Sequence, residues 1–415
     1  MILKTRTIRQ KQPVGKAIKR TLGDAVTQRL WQLESETLCN RARACTGLRH
    51  FGDPPIEPAL SILINSLELE ANLHPLGRFL MWGHVLEILM TRLRLAKFWR
   101  GHSEAMATSP IRSPIFITGM PRSGSTFLHE LLAQDPDNRS PRVWEVMFPL
   151  PVPAIGQRHD LRVCKTATRL WWFRRLAPQA DTVCPIRACT PHECVAIHSY
   201  TFMSDEFVST CRIPSYETFL RAADLTPVYL WQRRFLQHLQ LGWPSKRWVL
   251  KSPVHVYGLE ELFAVFPDAY VIQTHRNPLE VLRSNVQLTR VLHDLYARPG
   301  GLSQIGANEA RTLREEMERF MCFRDLHPEL AHRFIDVTYP ELVSDPLRAI
   351  RRIYRAWEFP LTEPAIQQIR QLISSRSRYR RPHSPTLNDF GLDPREQSAR
   401  FQRYCLRFGQ QCQSS

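Results

Sequence analysis

From Leu33 to Trp99 the apolar positions recur at helical spacing, with Leu63, Leu67 and Leu69 followed by Leu80, Val85, Leu86 and Leu89, which predicts an all-helical N-terminal layer. Beyond it the pattern changes. Pro114–Thr118 is a short β-prone run ending at Gly119, and helix-favouring residues resume from Thr126 to Ala133 until Asp135-Pro136 stops them. Two further β-prone runs, Arg247–Leu250 and Ala269–Thr274, flank a helix-like stretch from Val256 to Val265. Strand, helix and strand in that order predict parallel pairing, because parallel neighbours need a crossover connection. A fourth run, Phe334–Val337, precedes Tyr339 and a helix from Pro346 to Trp357. This alternation is that of an α/β domain with helices covering a sheet.

Between Pro149 and Trp243 the chain is aromatic-rich and mostly helical or irregular, with Trp171, Trp172, Tyr200, Tyr216 and Trp231. Such an insertion is where an acceptor pocket is expected. The expected organisation is a basic tail at 1–32 and a helical N-terminal layer at 33–108. A core follows at 109–360, carrying the insertion at 150–245, and a C-terminal helical cap closes the chain at 361–415.

Charge narrows the partners. The chain has 56 Lys and Arg against 39 Asp and Glu, a net charge of +17, which suits nucleotide-like, polyanionic or membrane-surface partners alike. Lys4, Arg6, Arg9, Lys11, Lys16, Lys19 and Arg20 precede the first acid, Asp24, with no apolar signal core among them. That tail is read as solvated, with an organelle-targeting segment or peripheral contact to an anionic membrane as its alternative roles. Phe79–Phe98 contains His84, Glu87, Arg92, Arg94 and Lys97, which fits an amphipathic helix and not a membrane span. The ten cysteines lack secreted-domain density, so mostly buried thiols and a cytoplasmic location are expected. Cys184, Cys189, His192 and Cys194 lack the close Cys-x-x-Cys knuckle of a zinc site, and no metal is assigned to them.

The chemistry concentrates at Gly119-Met-Pro-Arg-Ser-Gly-Ser-Thr126, between a predicted strand and a predicted helix. There, backbone N–H groups and a helix N-terminus converge on an anion. The glycine spacing is that of a nucleotide-binding P-loop, but Ser125 stands where the lysine belongs and the positive charge comes earlier, at Arg122. No predicted strand ends in the acidic residue that would hold Mg²⁺ in a P-loop kinase.

Pro121-Arg-Ser-Gly-Ser-Thr126 resembles the 5′-phosphosulfate loop of sulfotransferases that use 3′-phosphoadenosine 5′-phosphosulfate (PAPS). The fuller stretch Ile117–Pro136 resembles the bacterial-type branch of that superfamily. The resemblance implies a P-loop-containing three-layer α/β fold with a central parallel sheet, a helical N-terminal layer and a helical insertion. It implies PAPS as co-substrate, no required metal, a hydroxyl acceptor of small-molecule or lipid-like type, and no nucleic-acid partner. Pro121, Arg122, Ser123, Gly124, Ser125, Thr126 and Phe127 are then expected at the 5′ end of the donor. Arg276, just after a strand, and Ser284, eight residues later, correspond to the family's 3′-phosphate clamp. Tyr339 corresponds to a tyrosine near the adenine, with a core aromatic as its alternative.

Sulfuryl transfer needs a base for the acceptor proton and positive charge at the transferring group and the leaving phosphate. Lys251, in Trp248-Val-Leu-Lys-Ser-Pro253, matches the family lysine that reaches the bridging oxygen, and Arg122 is expected on the phosphosulfate. Glu145, in Trp144-Glu145, resembles the base of some family members, with His255 as its rival. His129, four residues beyond Ser125, is read as a packing or supporting residue. Similar phrases run from about Leu38 to Gly409, but His383-Ser384-Pro385 departs from the branch, leaving the role of Arg376–His383 open. A P-loop kinase or NTPase and a non-catalytic nucleotide- or nucleic-acid-binding protein are the alternative readings; oligomeric state is not legible.

Overall fold

The computed structural model describes residues 24–152, 160–176, 186–243, 246–375 and 385–410. Its centre is a sheet of five strands: β1 (Ile115–Gly119), β2 (Asn138–Arg139), β3 (Arg247–Lys251), β4 (Tyr270–His275) and β5 (Phe334–Thr338). Their order is β2-β3-β1-β4-β5, with every pair parallel. All five residues of β1 are buried, as befits a parallel strand covered on both faces. The four sequence-predicted strands are present with ends shifted by about a residue. The short β2, and the break at Gly258 between the 3₁₀ turn Pro253–Tyr257 and the helix Leu259–Val265, are new.

Alternating side chains send two layers to opposite faces. Ile115, Ile117, Val249 and Ile272 pack against Leu128, Leu131, Leu132, Ile350, Ile353 and Ile369 of the helices Ser125–Leu132, Pro346–Ala356 and Glu363–Ser375. Phe116, Leu250 and Val271 face the other way, into a core with Leu89 and Leu93 of Pro75–Gly101 and Phe235 and Leu239 of Thr226–Gly242. A third cluster fastens the C-terminal helices Pro394–Arg400 and Gln402–Phe408, through Phe401 and Tyr404, to Leu279, Leu282 and Met317.

The segment Phe79–Phe98 is helical and two-sided, with Arg94 and Lys97 exposed and Val85, Leu89 and Leu93 buried. It lies within Pro75–Gly101, where Arg92 is fully buried. The Arg92 guanidinium donates to the carbonyls of Phe51 (3.0 Å), Gly52 (3.3 Å), Tyr200 (2.5 Å) and Pro54, and lies 4.3 Å over Trp231. Those carbonyls satisfy a charge that water cannot reach. Among the described residues no helix is long and apolar enough to cross a membrane. The expected basic tail falls outside the described residues up to position 23, after which Asp24–Leu30 is helical. Arg376–His383 also lie outside them. Cys39, Cys194 and Cys211 are buried thiols, whereas Cys45, Cys164, Cys189 and Cys322 are exposed and Cys405 is disulfide-bonded. Mostly buried thiols is therefore a poor description of them.

Candidate active site

The carboxyl ends of β3, β1 and β4 lie side by side, Ile117 opposite Lys251 and Gly119 opposite Thr274. In open α/β sheets this crevice is the usual ligand site. β1 runs into the glycine turn and then the helix Ser125–Leu132. Gly119 has φ 115°, and a Cβ there would sit 2.5 Å from the Thr274 carbonyl oxygen, so only glycine fits. Gly124 has φ 94° and abuts the Tyr339 ring. Arg122 itself adopts φ 63°, a conformation that costs a non-glycine residue about 1 kcal/mol and recurs at ligand sites. Buried Ser123 locks the turn: its Oγ lies 2.5 Å from the Met120 carbonyl oxygen and 2.5 Å from Thr274 Oγ1. The turn thus presents first-turn N–H groups, which have no acceptors within the helix, towards the crevice.

Arg276 follows β4 directly and points back to the turn. Its Nη1 donates to the Arg122 carbonyl at 3.0 Å, and its guanidinium lies 4.1 Å over the Tyr339 ring. Arg122 Nε in turn donates to Ser284 Oγ at 3.1 Å. Pro121, Arg122, Ser284 and Tyr339 are half-buried, so Tyr339 packs on the turn and is not a core aromatic. Phe127 packs into the core below. Sequence reasoning missed Glu280, which accepts from Arg276 Nε (2.9 Å) and Nη2 (2.5 Å) and shares its charge. Behind the clamp, His275 Nδ1 lies 2.7 Å from the Tyr404 hydroxyl and Nε2 2.9 Å from Asp336 Oδ1, bracing the end of β4.

Lys251 is buried at the end of β3, with Nζ donating to Thr126 Oγ1 at 3.3 Å and paired closely with the Glu193 carboxylate. Glu193 was not singled out from sequence. Backbone bonds fix it there: His192 N donates to the Pro141 carbonyl (2.7 Å) and Cys194 N to the Lys251 carbonyl (2.9 Å). Next to it, His192 lines a mainly apolar cavity of about 230 Å³ with Ile88, Val146, Met147, Phe173 and Tyr200. Its polar wall includes His84, paired with Glu206 at 2.9 Å. Burial depresses the His84 pKa, but the Glu206 carboxylate more than offsets this and leaves it raised.

The two expected bases, Glu145 and His255, are both buried with partners of their own. Glu145 is buried, accepting from Arg139 Nη2 at 2.8 Å and from the Arg142 backbone N–H at 2.9 Å. That is a helix-capping and ion-pairing role. His255 is buried beneath the sheet, its Nδ1 3.0 Å from the Tyr229 hydroxyl and its ring edge-on to Phe116, and burial holds its pKa well below the ordinary range. His129 takes the supporting place expected of it: Nε2 lies 3.0 Å from Ser140 Oγ and 3.1 Å from the Val249 carbonyl oxygen. Cys189 is exposed, Cys194 is buried beside Gln232, and Cys184 lies outside the described residues.

The fold has counterparts among known proteins. The sulfotransferase structure STF9 from Mycobacterium avium superposes with a TM-score of 0.83 at 25% identity, covering 94% of this chain and 99% of that one. STF1 from Mycobacterium tuberculosis superposes with a TM-score of 0.75 at 29% identity, covering 89% and 98%. The omega-hydroxy-beta-dihydromenaquinone-9 sulfotransferase Stf3 of Mycobacterium bovis is 25% identical over 305 residues, which is 68% of this chain and 71% of that protein. The profile of the sulfotransferase family matches residues 114–363, from just before β1 to the start of the helix after the core. Because that match takes in more than half of the sequence, including the turn, Lys251 and Arg276, the chain belongs to the sulfotransferase family, in its bacterial-type branch.

Proposed function

We propose that this enzyme transfers a sulfuryl group from PAPS to the hydroxyl of an apolar, lipid-like acceptor, releasing adenosine 3′,5′-bisphosphate. One observation carries the reading: Lys251 bridges Thr126 of the glycine turn and Glu193, whose neighbour His192 lines the apolar cavity. Donor-side and acceptor-side groups therefore meet at one ammonium. A relative named for an apolar omega-hydroxy compound supports the acceptor class.

In this proposal the turn from Pro121 to Phe127, with Arg122, holds the 5′ end of the donor, and Arg276 with Ser284 holds the 3′-phosphate. Tyr339, stacked under Arg276, borders the nucleoside. The acceptor oxygen forms a bond to sulfur while the bond from sulfur to the bridging phosphate oxygen breaks. The acceptor proton passes to Glu193, and the electron pair leaves with the bisphosphate. Lys251 meets the charge that develops on the bridging oxygen. The scheme requires no metal ion. The base expected at Glu145 or His255 is thereby reassigned to Glu193.

Titration calorimetry tests the donor assignment. The protein is expected to bind adenosine 3′,5′-bisphosphate in preference to ATP with Mg²⁺ or a DNA or RNA oligomer. Arg276→Ala is expected to weaken the bisphosphate by about tenfold or more, the scale of lost charged hydrogen bonds, while weakening AMP far less. Preference for ATP or the oligomer, or equal weakening of bisphosphate and AMP, would count against the assignment.

The base is tested separately. Glu193→Gln is expected to lower kcat by about 10²-fold, within the range for a lost general base, with bisphosphate affinity nearly intact. Glu145→Gln, measured alongside, is expected to reduce stability and to leave kcat within a few-fold. A Glu193→Gln enzyme with full turnover would return the role to Glu145 or His255.

A further inference from the structure

The helix Leu161–Leu176, LRVCKTATRLWWFRRL, carries five basic residues and no acidic one. Arg162 is tied to Asp160 and Arg169 to Glu87, which leaves Lys165, Arg174 and Arg175 as its further positive charge. Its inner side is committed: Arg162 and Thr166 are buried, and Leu170 and Phe173 line the apolar cavity. Its outer side mixes cations with large apolar side chains, unlike the uniformly polar face of a solvated helix. Trp171 is 43% exposed, Trp172 59% and Leu161 84%, and the two indoles meet edge to face at 4.8 Å. Arg175 lies 4.5 Å over Trp171, and exposed Lys165 lies 4.0 Å over Phe148. Leu161, Lys165, Thr168, Trp172 and Arg175 fall on one stripe at helical spacing.

We propose that the exposed face of Leu161–Leu176 docks on an anionic lipid bilayer. Tryptophan is the side chain whose amphipathic ring settles at the headgroup level, and interspersed Lys and Arg add attraction to anionic lipid of about 1 kcal/mol each. A second copy of this chain would meet the same uncompensated positive charge, which disfavours it as the occupant. The helix has no acids, bears its two tryptophans outward, and is a wall of the cavity, so docking sets the cavity beside the headgroup region. An apolar alcohol dissolved in the bilayer then reaches Glu193 and Lys251 without crossing water. That delivery role rests on the function proposed above; the membrane contact does not.

The test uses the full chain and vesicles of phosphatidylcholine alone or mixed with phosphatidylglycerol. The wild type is expected to co-sediment with the mixed vesicles, with a blue shift in tryptophan emission that salt reverses, and not with the neutral ones. Trp171→Ala with Trp172→Ala is expected to lower the bound fraction by about tenfold or more, and Lys165→Glu with Arg175→Glu to do the same. Both double variants keep wild-type affinity for adenosine 3′,5′-bisphosphate, which shows them folded and separates this result from any failure of the donor assignment. Unchanged vesicle binding in both variants would place the contact elsewhere, for example in the basic N-terminal tail. Equal binding to neutral vesicles, no binding by the wild type, or a dimer that only the wild type forms would each overturn the proposal.

Discussion

Lys251→Met is expected to lower turnover by on the order of 10³-fold, the upper range for loss of one preorganised charge at a reacting oxygen, while bisphosphate affinity changes only a few-fold. Methionine is unbranched and of similar length, so it fills the space beside Thr126 without its charge. The fold is expected to survive because Glu193, left without its partner, has a side chain 35% exposed and is solvated by water. The product of the first half of the mechanism, bound nucleotide, is unaffected, since Arg122, Arg276 and Ser284 form their own contacts with one another. Single-turnover kinetics with labelled donor measures the chemical step directly. A rate within tenfold of wild type would mean that the ammonium serves only to hold Glu193, and the assignment of the leaving-group role would be lost.

What sequence reading reached and what it missed divide along the distance over which each contact is made. β1, β3, β4 and β5 were legible because each opens on or contains a short run rich in β-branched and aromatic residues, Ile-Phe-Ile, Trp-Val-Leu, Tyr-Val-Ile and Phe-Ile, bounded by turn or helix signals. β2 was not, because it is two polar residues held by their pairing with Arg247 and Trp248. The turn and the spacing from Arg276 to Ser284 were legible because each is local. Glu280 was within reach, lying one helical turn from Arg276, where opposite charges pair. Glu193 was not: it stands 58 residues from Lys251 and arrives through backbone bonds from His192 and Cys194 that no periodicity announces. The partners of Glu145 were hidden for the same reason. Its position after the turn fits a base, but the Arg139 side chain and the Arg142 N–H that hold it appear only once the chain is folded. The cavity is likewise made by the meeting of Pro75–Gly101, Leu161–Leu176 and the loop around His192.

Acid should unfold this protein well above the range where its carboxylates titrate. Burial pushes the imidazole pKa of His129 down to about 3 and those of His198 and His238 down to about 4. All three rings are buried, which keeps them neutral even though each has a polar partner, Ser140, Gln232 and the Pro149 carbonyl respectively. Their folded-state values lie below the unfolded value of about 6.5, so the unfolded chain takes up protons first. Stability is therefore fully present above pH of about 6.5 and is lost as pH falls from there towards about 4. His192, His255, His275 and His293 are depressed by burial in the same sense, and each such group adds up to about 1.4 kcal/mol per pH unit to the slope, against a total of about 5–15 kcal/mol for a typical domain. His84, Glu309 and Glu316 work in the opposite sense: their raised values contribute stability at low pH that is lost as pH rises through them, and three such groups against seven offset only part of the effect. Urea midpoints measured between pH of about 7.5 and about 5 are expected to fall, and His238→Gln, whose amide can still donate to the Pro149 carbonyl, is expected to flatten the slope by one group's share, at most about 1.4 kcal/mol per pH unit. A midpoint independent of pH across that window would show that these imidazoles protonate without leaving the folded state.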